Sequence, residues 1–365
     1  MGVDASRLTV GEQTGTETYT YQLLAAWARL EIPDRIRLYL NAPSAPPDLP
    51  PVGDVACLPF PRLWTHVRLS WEMQRRPPAV LFVPAHVIPL RHPPSVVTVH
   101  DLGYLHHPEA HPARDRWMLD WTTRWSTRVA RRVIAISEAT RHDLVHCYGV
   151  VPEKIDVIPH GVDPRFFAVR FEDVRRVRQY FALPERFVLA VGTVQPRKNL
   201  GRLAMAMRHL AAAGLPHSLV IAGKRGWLAS TVERDIAQAG VGDRIIVLGY
   251  VPAPVLPALY AAADALAFPS LYEGFGLPVL EAMATGTPVV AANRSAIPEV
   301  AGDAALLVDP FSPEAIARGL MRVLTEPALR ATLVARGKER AGSFSWEKSA
   351  LATLDVLRRV RDGTP

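Results

Sequence analysis

Residues 269–291 read PSLYEGFGLPVLEAMATGTPVVA. An apolar strand ends near Pro269 and the glycine-rich turn Glu273-Gly274-Phe275-Gly276 follows. A helix starts near Leu277, with Pro278 in its first turn, where the ring is tolerated because the first N–H groups have no intrahelical partner. Those N–H groups and the helix dipole favour negative charge, and the glycines let a ligand approach the backbone. The pattern is that of a phosphate cradle. Glu273 stands just before it and Glu281 just over one turn inside the helix. A carboxylate repels phosphate but accepts hydrogen bonds from vicinal hydroxyls. Two carboxylates flanking the cradle therefore point to a sugar on one side of a diphosphate and a ribose on the other. The plainer alternative is a capped helix with two solvated glutamates.

Upstream, residues 189–203 read LAVGTVQPRKNLGRL. A strand ends at Gly192 and a helix opens around Arg197 to Asn199. Two cations at a helix N-terminus oppose its dipole, so something anionic is expected beside Arg197 and Lys198.

Around these stretches, short apolar runs alternate with amphipathic ones. Expected strands are 79–83, 95–99, 132–136, 156–158, 187–191, 218–222, 244–248, 265–268, 288–291 and 305–308. Expected helices include 18–30, 138–148, 171–181, 200–213, 255–262, 313–324 and 346–360. Apolar strands without alternation, each followed by a helix, argue parallel sheets covered on both faces. The strands are too many for one small sheet, so two doubly wound domains are expected. The first spans 1–165 and the second 166–345, with the turn-rich PHGVDPRFFA (159–168) at the boundary and helix 346–365 packing back on the first. Residues 43–51 (PSAPPDLPP) read as a stiff surface loop. MGVDASRL leaves about three residues for a first strand, as though residues upstream were lost or the start misassigned.

Composition narrows the classes. With 49% hydrophobic and 21% charged residues over 365 positions, the chain is no disordered polymer. Two cysteines, Cys57 and Cys147, rule out a disulfide scaffold or a cysteine zinc site. The first residues lack the charged and apolar regions of a secretory signal. The weakly charged stretch 251–272 carries four prolines, which argues against a membrane span. The expected location is cytoplasmic. The formal charge of +7 lies mostly in residues 166–365, where 24 Lys and Arg face 18 Asp and Glu. That suits an anionic ligand. No zinc-finger or RNA-binding motif appears, so nucleic acid is not expected. Trp117, Trp121 and Trp125 share one helix face among arginines, which fits a core helix with basic ends or a helix lying on a membrane surface.

EGFGLPVLE, with PSLY before it and TGTPVVA after it, resembles the retaining nucleotide-sugar glycosyltransferases of family four, the group 1 enzymes of GT-B fold. The resemblance runs from Ser6 to Val360 and is strongest over 187–308. It implies two Rossmann-like domains facing across a cleft, the second binding the donor and the first the acceptor. It assigns Glu273 to donor-sugar hydroxyls, Glu281 to the ribose, and the main chain of Gly274, Phe275, Gly276 and Leu277 to sugar and diphosphate. Arg197 and Lys198 take the diphosphate, although Thr193 stands where many members carry arginine. His100, after the strand in VVTVHDLGY, matches the histidine that contacts the donor sugar. Gly15, in GEQTGTETY (11–19), matches the first glycine loop but lacks the usual basic residue. Tyr250 and Val251 of LGYV would face the base, and Lys224 and Arg225 lie in a softer match.

No Asp-x-Asp string is present, so no metal or other cofactor is expected; cations take its place. The implied reaction is hexosyl transfer with retention, in which the departing phosphate helps deprotonate the acceptor. The GTxxPRKN variant leans towards GDP-mannose over UDP-hexoses. The implied partners are a nucleotide-sugar donor and a glycan or lipid-linked acceptor of a surface polysaccharide, with peripheral membrane contact through the tryptophan helix. The alternatives are a nucleotide-sugar epimerase on the same fold and a non-catalytic glycan- or nucleotide-binding protein.

Overall fold

The computed structural model describes residues 1–9, 15–85, 87–110 and 112–364. The chain divides into two compact units: residues 1–105, 113–161 and 345–365 form one, and 106–112 with 162–344 form the other. Each holds one parallel sheet. In unit 1 the strands are β1 (Gly2–Asp4), β2 (Arg37–Leu40), β3 (Asp54–Cys57), β4 (Leu81–Val83), β5 (Ser95–Val99), β6 (Arg132–Ala135) and β7 (Ile155–Val157), in spatial order β3-β2-β1-β4-β5-β6-β7. In unit 2 they are β8 (Phe187–Val191), β9 (Ser218–Ala222), β10 (Ile245–Gly249), β11 (Ala265–Phe268), β12 (Val289–Ala292) and β13 (Leu306–Val308), in order β10-β9-β8-β11-β12-β13.

Central strands such as β5 (SVVTV) and β11 (ALAF) are buried along their whole length, as strands covered on both faces must be. Strand order reverses between β1 and β4 in unit 1, and between β8 and β11 in unit 2. Neighbouring connections leave the sheet on opposite faces there, which opens a crevice at the strands' carboxyl ends. The segments entering the crevice of unit 2 are those after β8 and β11, the two stretches singled out by their chemistry.

Two strands were not anticipated, β2 and β3. Each is four residues long, and each opens on a charged residue, Arg37 and Asp54. β3 is the sheet edge, with Val55 exposed, so neither shows a long apolar run. The C-terminal helix Trp346–Asp362 belongs to unit 1. Ser345 caps it through the Lys348 N–H at 3.2 Å, and the indole of fully buried Trp27 donates to the Ala350 carbonyl at 2.9 Å. Asp34 receives Arg358 and Arg361 from the same helix. Losing the Trp27 indole should cost about 3–5 kcal/mol.

The helix Ala113–Val129 departs from the core reading of the tryptophan row at Trp117 and Trp121, whereas Trp125 is half-buried with its indole nitrogen enclosed. The helix is buried through Thr122, Thr123, Ser126 and Thr127, while Trp117 is 70% and Trp121 44% exposed. Thr122 and Thr127 donate to main-chain carbonyls one turn back, Thr127 to Thr123 at 2.9 Å, and the Ser126 hydroxyl accepts from the Ile88 N–H at 2.9 Å, so these small residues pack close to the sheet.

Candidate functional site

In unit 2 the chain leaves β8 through Gly192 and Thr193, makes a short 3-10 turn at Pro196–Lys198, and enters the helix Leu200–Ala212. Gly192 lies at φ +139, and a Cβ there would meet the Lys198 Cε at 2.8 Å, so only glycine lets the lysine stem cross the strand end. Asn199 adopts the left-handed conformation, and its amide donates to the carbonyls of Pro269 (3.0 Å) and Pro310 (2.6 Å). That amide ties the turn after β8 to the turn after β11.

The anion expected beside the two cations is Glu273. Its Oε1 receives Lys198 Nζ at 2.6 Å and its Oε2 receives Arg197 at 3.1 Å. Ser270 donates to Oε1 at 2.5 Å, and the Ser295 hydroxyl accepts from the Glu273 N–H at 2.9 Å. The side chains of all three charged residues are nearly buried. Burial alone pushes the Glu273 carboxyl up; the charges of Arg197 and Lys198 more than reverse this and hold it at about 2. Gly276 follows at φ +111 as the cap of the helix Leu277–Thr285. A Cβ on Gly276 would meet Ile297 Cδ1 at 2.7 Å. Gly274 and Phe275 are buried, and the Phe275 ring packs edge-on against Phe344, so its ring is spent on packing.

Glu281 sits in different surroundings. Tyr260 donates to its Oε2 at 2.7 Å, and no cation is among the groups that shift it. Burial pushes it up, Tyr260 opposes that, and the negative charge of Asp163 adds to it, leaving it at about 7. Tyr250 is exposed and Val251 buried just beyond β10. Arg225 is drawn to Glu233 on the surface at 2.9 Å.

In unit 1, His100 follows β5. Its Nε2 lies 2.7 Å from the carbonyl of Pro84, just beyond β4. A carbonyl only accepts, so Nε2 carries the proton; burial keeps the ring neutral, and Nδ1 is left as an acceptor. Tyr19 meets the His100 ring edge-on and stacks on His160. Gly15 opens the helix Gly15–Arg29 and is exposed. Gly11 to Thr14 lie outside the described residues.

Sequence reasoning missed Ser270, Tyr260, Ser295 and Asn199. Asn199 left a signal, an asparagine at a helix entry, where its side chain tolerates the left-handed region. Tyr260 left none, since an aromatic residue inside an apolar helix reads as core.

Known families match both parts of the chain. The profile described as "Glycosyl transferases group 1" matches residues 173–340, and that of "Glycosyltransferase Family 4" matches residues 13–166. The chain is 30% identical over 293 residues to O-antigen chain mannosyltransferase B of Escherichia coli, covering 80% of this chain and 77% of that one. This protein is a family 4 glycosyltransferase. The glycosyltransferase is also 37% identical over 244 residues to D-inositol 3-phosphate glycosyltransferase of Salinispora arenicola, a match spanning about half of that relative (54%). Among solved structures, sucrose-phosphate synthase from Thermosynechococcus elongatus superposes with TM-score 0.79 at 22% identity, covering 100% of this chain and 99% of that one. Anabaena HepE, solved in complex with UDP and glucose, gives 0.76 at 19% identity over 98% of each. The fold is the two-domain α/β GT-B fold. Among the described residues, no helix is long and apolar enough to cross a membrane.

Proposed function

We propose that this glycosyltransferase moves a hexose, mannose in the first instance, with retention from a nucleoside-diphosphate sugar to a glycan or lipid-linked acceptor. The observation that carries the donor assignment is the Arg197–Glu273–Lys198 cluster beside the amino end of the helix Leu277–Thr285. Two nearly buried cations and a helix dipole converge where strand order reverses. The diphosphate would be held by Arg197, Lys198 and the first-turn amides, which would also stabilise it as leaving group. Glu273, kept ionised, would accept from the sugar hydroxyls. Glu281 would accept from the vicinal hydroxyls of the ribose, with the base towards Tyr250 and Val251. His100 would offer Nδ1 as an acceptor to a sugar hydroxyl. The cations would do the work of a divalent ion, so no metal is required.

Mannose is supported by two relatives, the E. coli O-antigen mannosyltransferase and the MMP alpha-(1->4)-mannosyltransferase of Mycolicibacterium hassiacum, the latter 33% identical over 240 residues. A uridine donor is the second reading, after the UDP-glucose complex of Anabaena HepE. Exposed Trp117, Met118 and Trp121 beside exposed Arg114 and Arg124 support peripheral contact with an anionic membrane, where a lipid-linked acceptor would lie. The test is donor turnover in a metal chelator, with GDP-mannose and UDP-glucose in parallel. Mannosyl transfer to a polyprenyl-linked glycan with the anomeric configuration kept is expected. Inversion, or release of free hexose with every acceptor class, would overturn the proposal.

A further inference from the structure

At the end of the unit 1 sheet opposite His100 lies a second concavity. It has a volume of about 550 Å³ and opens where β5, β6 and β7 begin. Pro93 and Pro94 lead into β5, Arg131 into β6 and Lys154 into β7; Arg128 closes the helix Ala113–Val129, and His92 completes the rim. Ligands of the established chemistry gather at the carboxyl ends of strands, so this place at the amino ends belongs to no part of the donor site.

Its charge is one-sided. Arg128, Arg131 and Lys154 face the pocket, and no carboxylate among the described residues pairs with any of them. Asp156, just downstream, is taken by Arg132 and Arg359 at 2.8 and 2.7 Å. Glu153 gives only its main-chain carbonyl, to Arg132. Lys154 Nζ donates to the carbonyls of Thr127 (2.8 Å) and Arg128 (2.9 Å), which offsets the negative end of that helix and leaves one N–H for a ligand. Burial, and then the positive charge of Arg131, push the Lys154 ammonium down from its ordinary value. Three cations gathered around a hollow with no acid among them repel one another, and a bound anion would relieve that repulsion.

We infer that this pocket binds a phosphate-bearing anion, separately from the nucleotide-sugar donor. Two guanidinium forks match phosphate oxygens in pairs, and three positive charges suit a dianion better than a monoanion. The volume exceeds that of a bare phosphate and falls in the range of small-molecule sites, so the phosphate would belong to a larger molecule, either a soluble sugar phosphate or a lipid headgroup.

The test uses inorganic pyrophosphate as probe, by titration calorimetry on the full chain. Wild type should bind two equivalents. Lys198→Ala should weaken one of them, and Arg128→Ser/Arg131→Ser should weaken the other at least tenfold while nucleotide binding is kept. Both arginines are exposed, so the double variant should fold, which its unfolding midpoint checks. A parallel arm measures flotation with phosphatidylcholine vesicles containing phosphatidylglycerol. Loss in Arg128→Ser/Arg131→Ser, but not in the equally charge-depleted Arg175→Ser/Arg176→Ser on the helix Phe171–Tyr180, assigns the phosphate to a lipid headgroup. Soluble binding alone assigns it to a free phosphate. A single pyrophosphate site unaffected by the Arg128 and Arg131 changes, together with vesicle binding that falls equally in both double variants or is absent, would overturn the inference.

Discussion

Glu273 and Glu281 stand at the two ends of one motif and are both largely enclosed, yet their charge states diverge. Glu273 is gripped by Arg197 and Lys198 and held at about 2; among the described residues Glu281 is shifted by a tyrosine hydroxyl and a neighbouring Asp163 besides its burial, and rises to about 7. Burial raises both. What separates them is whether the chain supplies cations, and it does so only where the diphosphate would lie. At the Glu273 end the protein carries its own anion beside the two cations. At the Glu281 end burial favours the protonated carboxyl, which ionises only as pH rises through about 7.

The comparison breaks most visibly if one carboxylate is removed. Glu273→Ala leaves two nearly buried cations without their anion and should cost about 3–5 kcal/mol of unfolding free energy. A nucleoside diphosphate should then stabilise the variant more than it stabilises wild type, because phosphate replaces the lost carboxylate. A cost below about 1 kcal/mol in urea unfolding would mean that the cluster is effectively solvated. The next effect is on pH. Glu273, depressed from 4.5 to about 2, gives stability that is present above pH 4.5 and lost as pH falls to 2. Glu281, raised from 4.5 to about 7, gives stability that is present below pH 4.5 and lost as pH rises through 7. Each shift corresponds to about 3 kcal/mol. Subtracting the stability–pH curve of Glu281→Gln from wild type should therefore slope downward between pH 4.5 and 7, and a flat difference would refute the raised value. Donor affinity should likewise improve as pH rises through 7, when Glu281 becomes the carboxylate that accepts ribose hydroxyls.

Smaller changes sharpen the contrast. Gly276→Ala forces a Cβ into the left-handed region and against Ile297, at a cost of about 1–3 kcal/mol, with donor affinity falling as the cradle shifts. Equal stability and affinity would show that the turn adjusts freely. Tyr260→Phe removes the hydroxyl that lowers Glu281, at about 1 kcal/mol. It should move the pH midpoint of donor binding upward, and a downward shift would contradict the hydrogen-bond direction.

The sequence exposed the parts of this site that obey local rules. Gly276, Pro278 and the glutamates declare a cradle because turn and helix-start chemistry is written in neighbouring residues. Arg197 and Lys198 declared themselves by standing where the helix dipole disfavours them. What stayed hidden depends on partners far along the chain. Nothing near Lys198 shows that its anion is Glu273, and nothing near Glu281 shows that Tyr260 lies against it. The fold was legible through its buried strands, while β2 and β3 escaped because four residues opening on a charge look like a loop. The tryptophan row misled because apolar periodicity usually marks the packed face, whereas here threonines and serines form it.

The most direct measurement is calorimetric titration of GDP and UDP, in a metal chelator, into wild type and Lys198→Ala. One nucleotide should bind wild type, and the variant should bind it about 10- to 100-fold more weakly, as the loss of one charge-assisted contact requires. Failure of the folded wild type to bind either nucleotide without metal, or equal affinity in the two proteins, would contradict the placement of the donor diphosphate on Arg197 and Lys198.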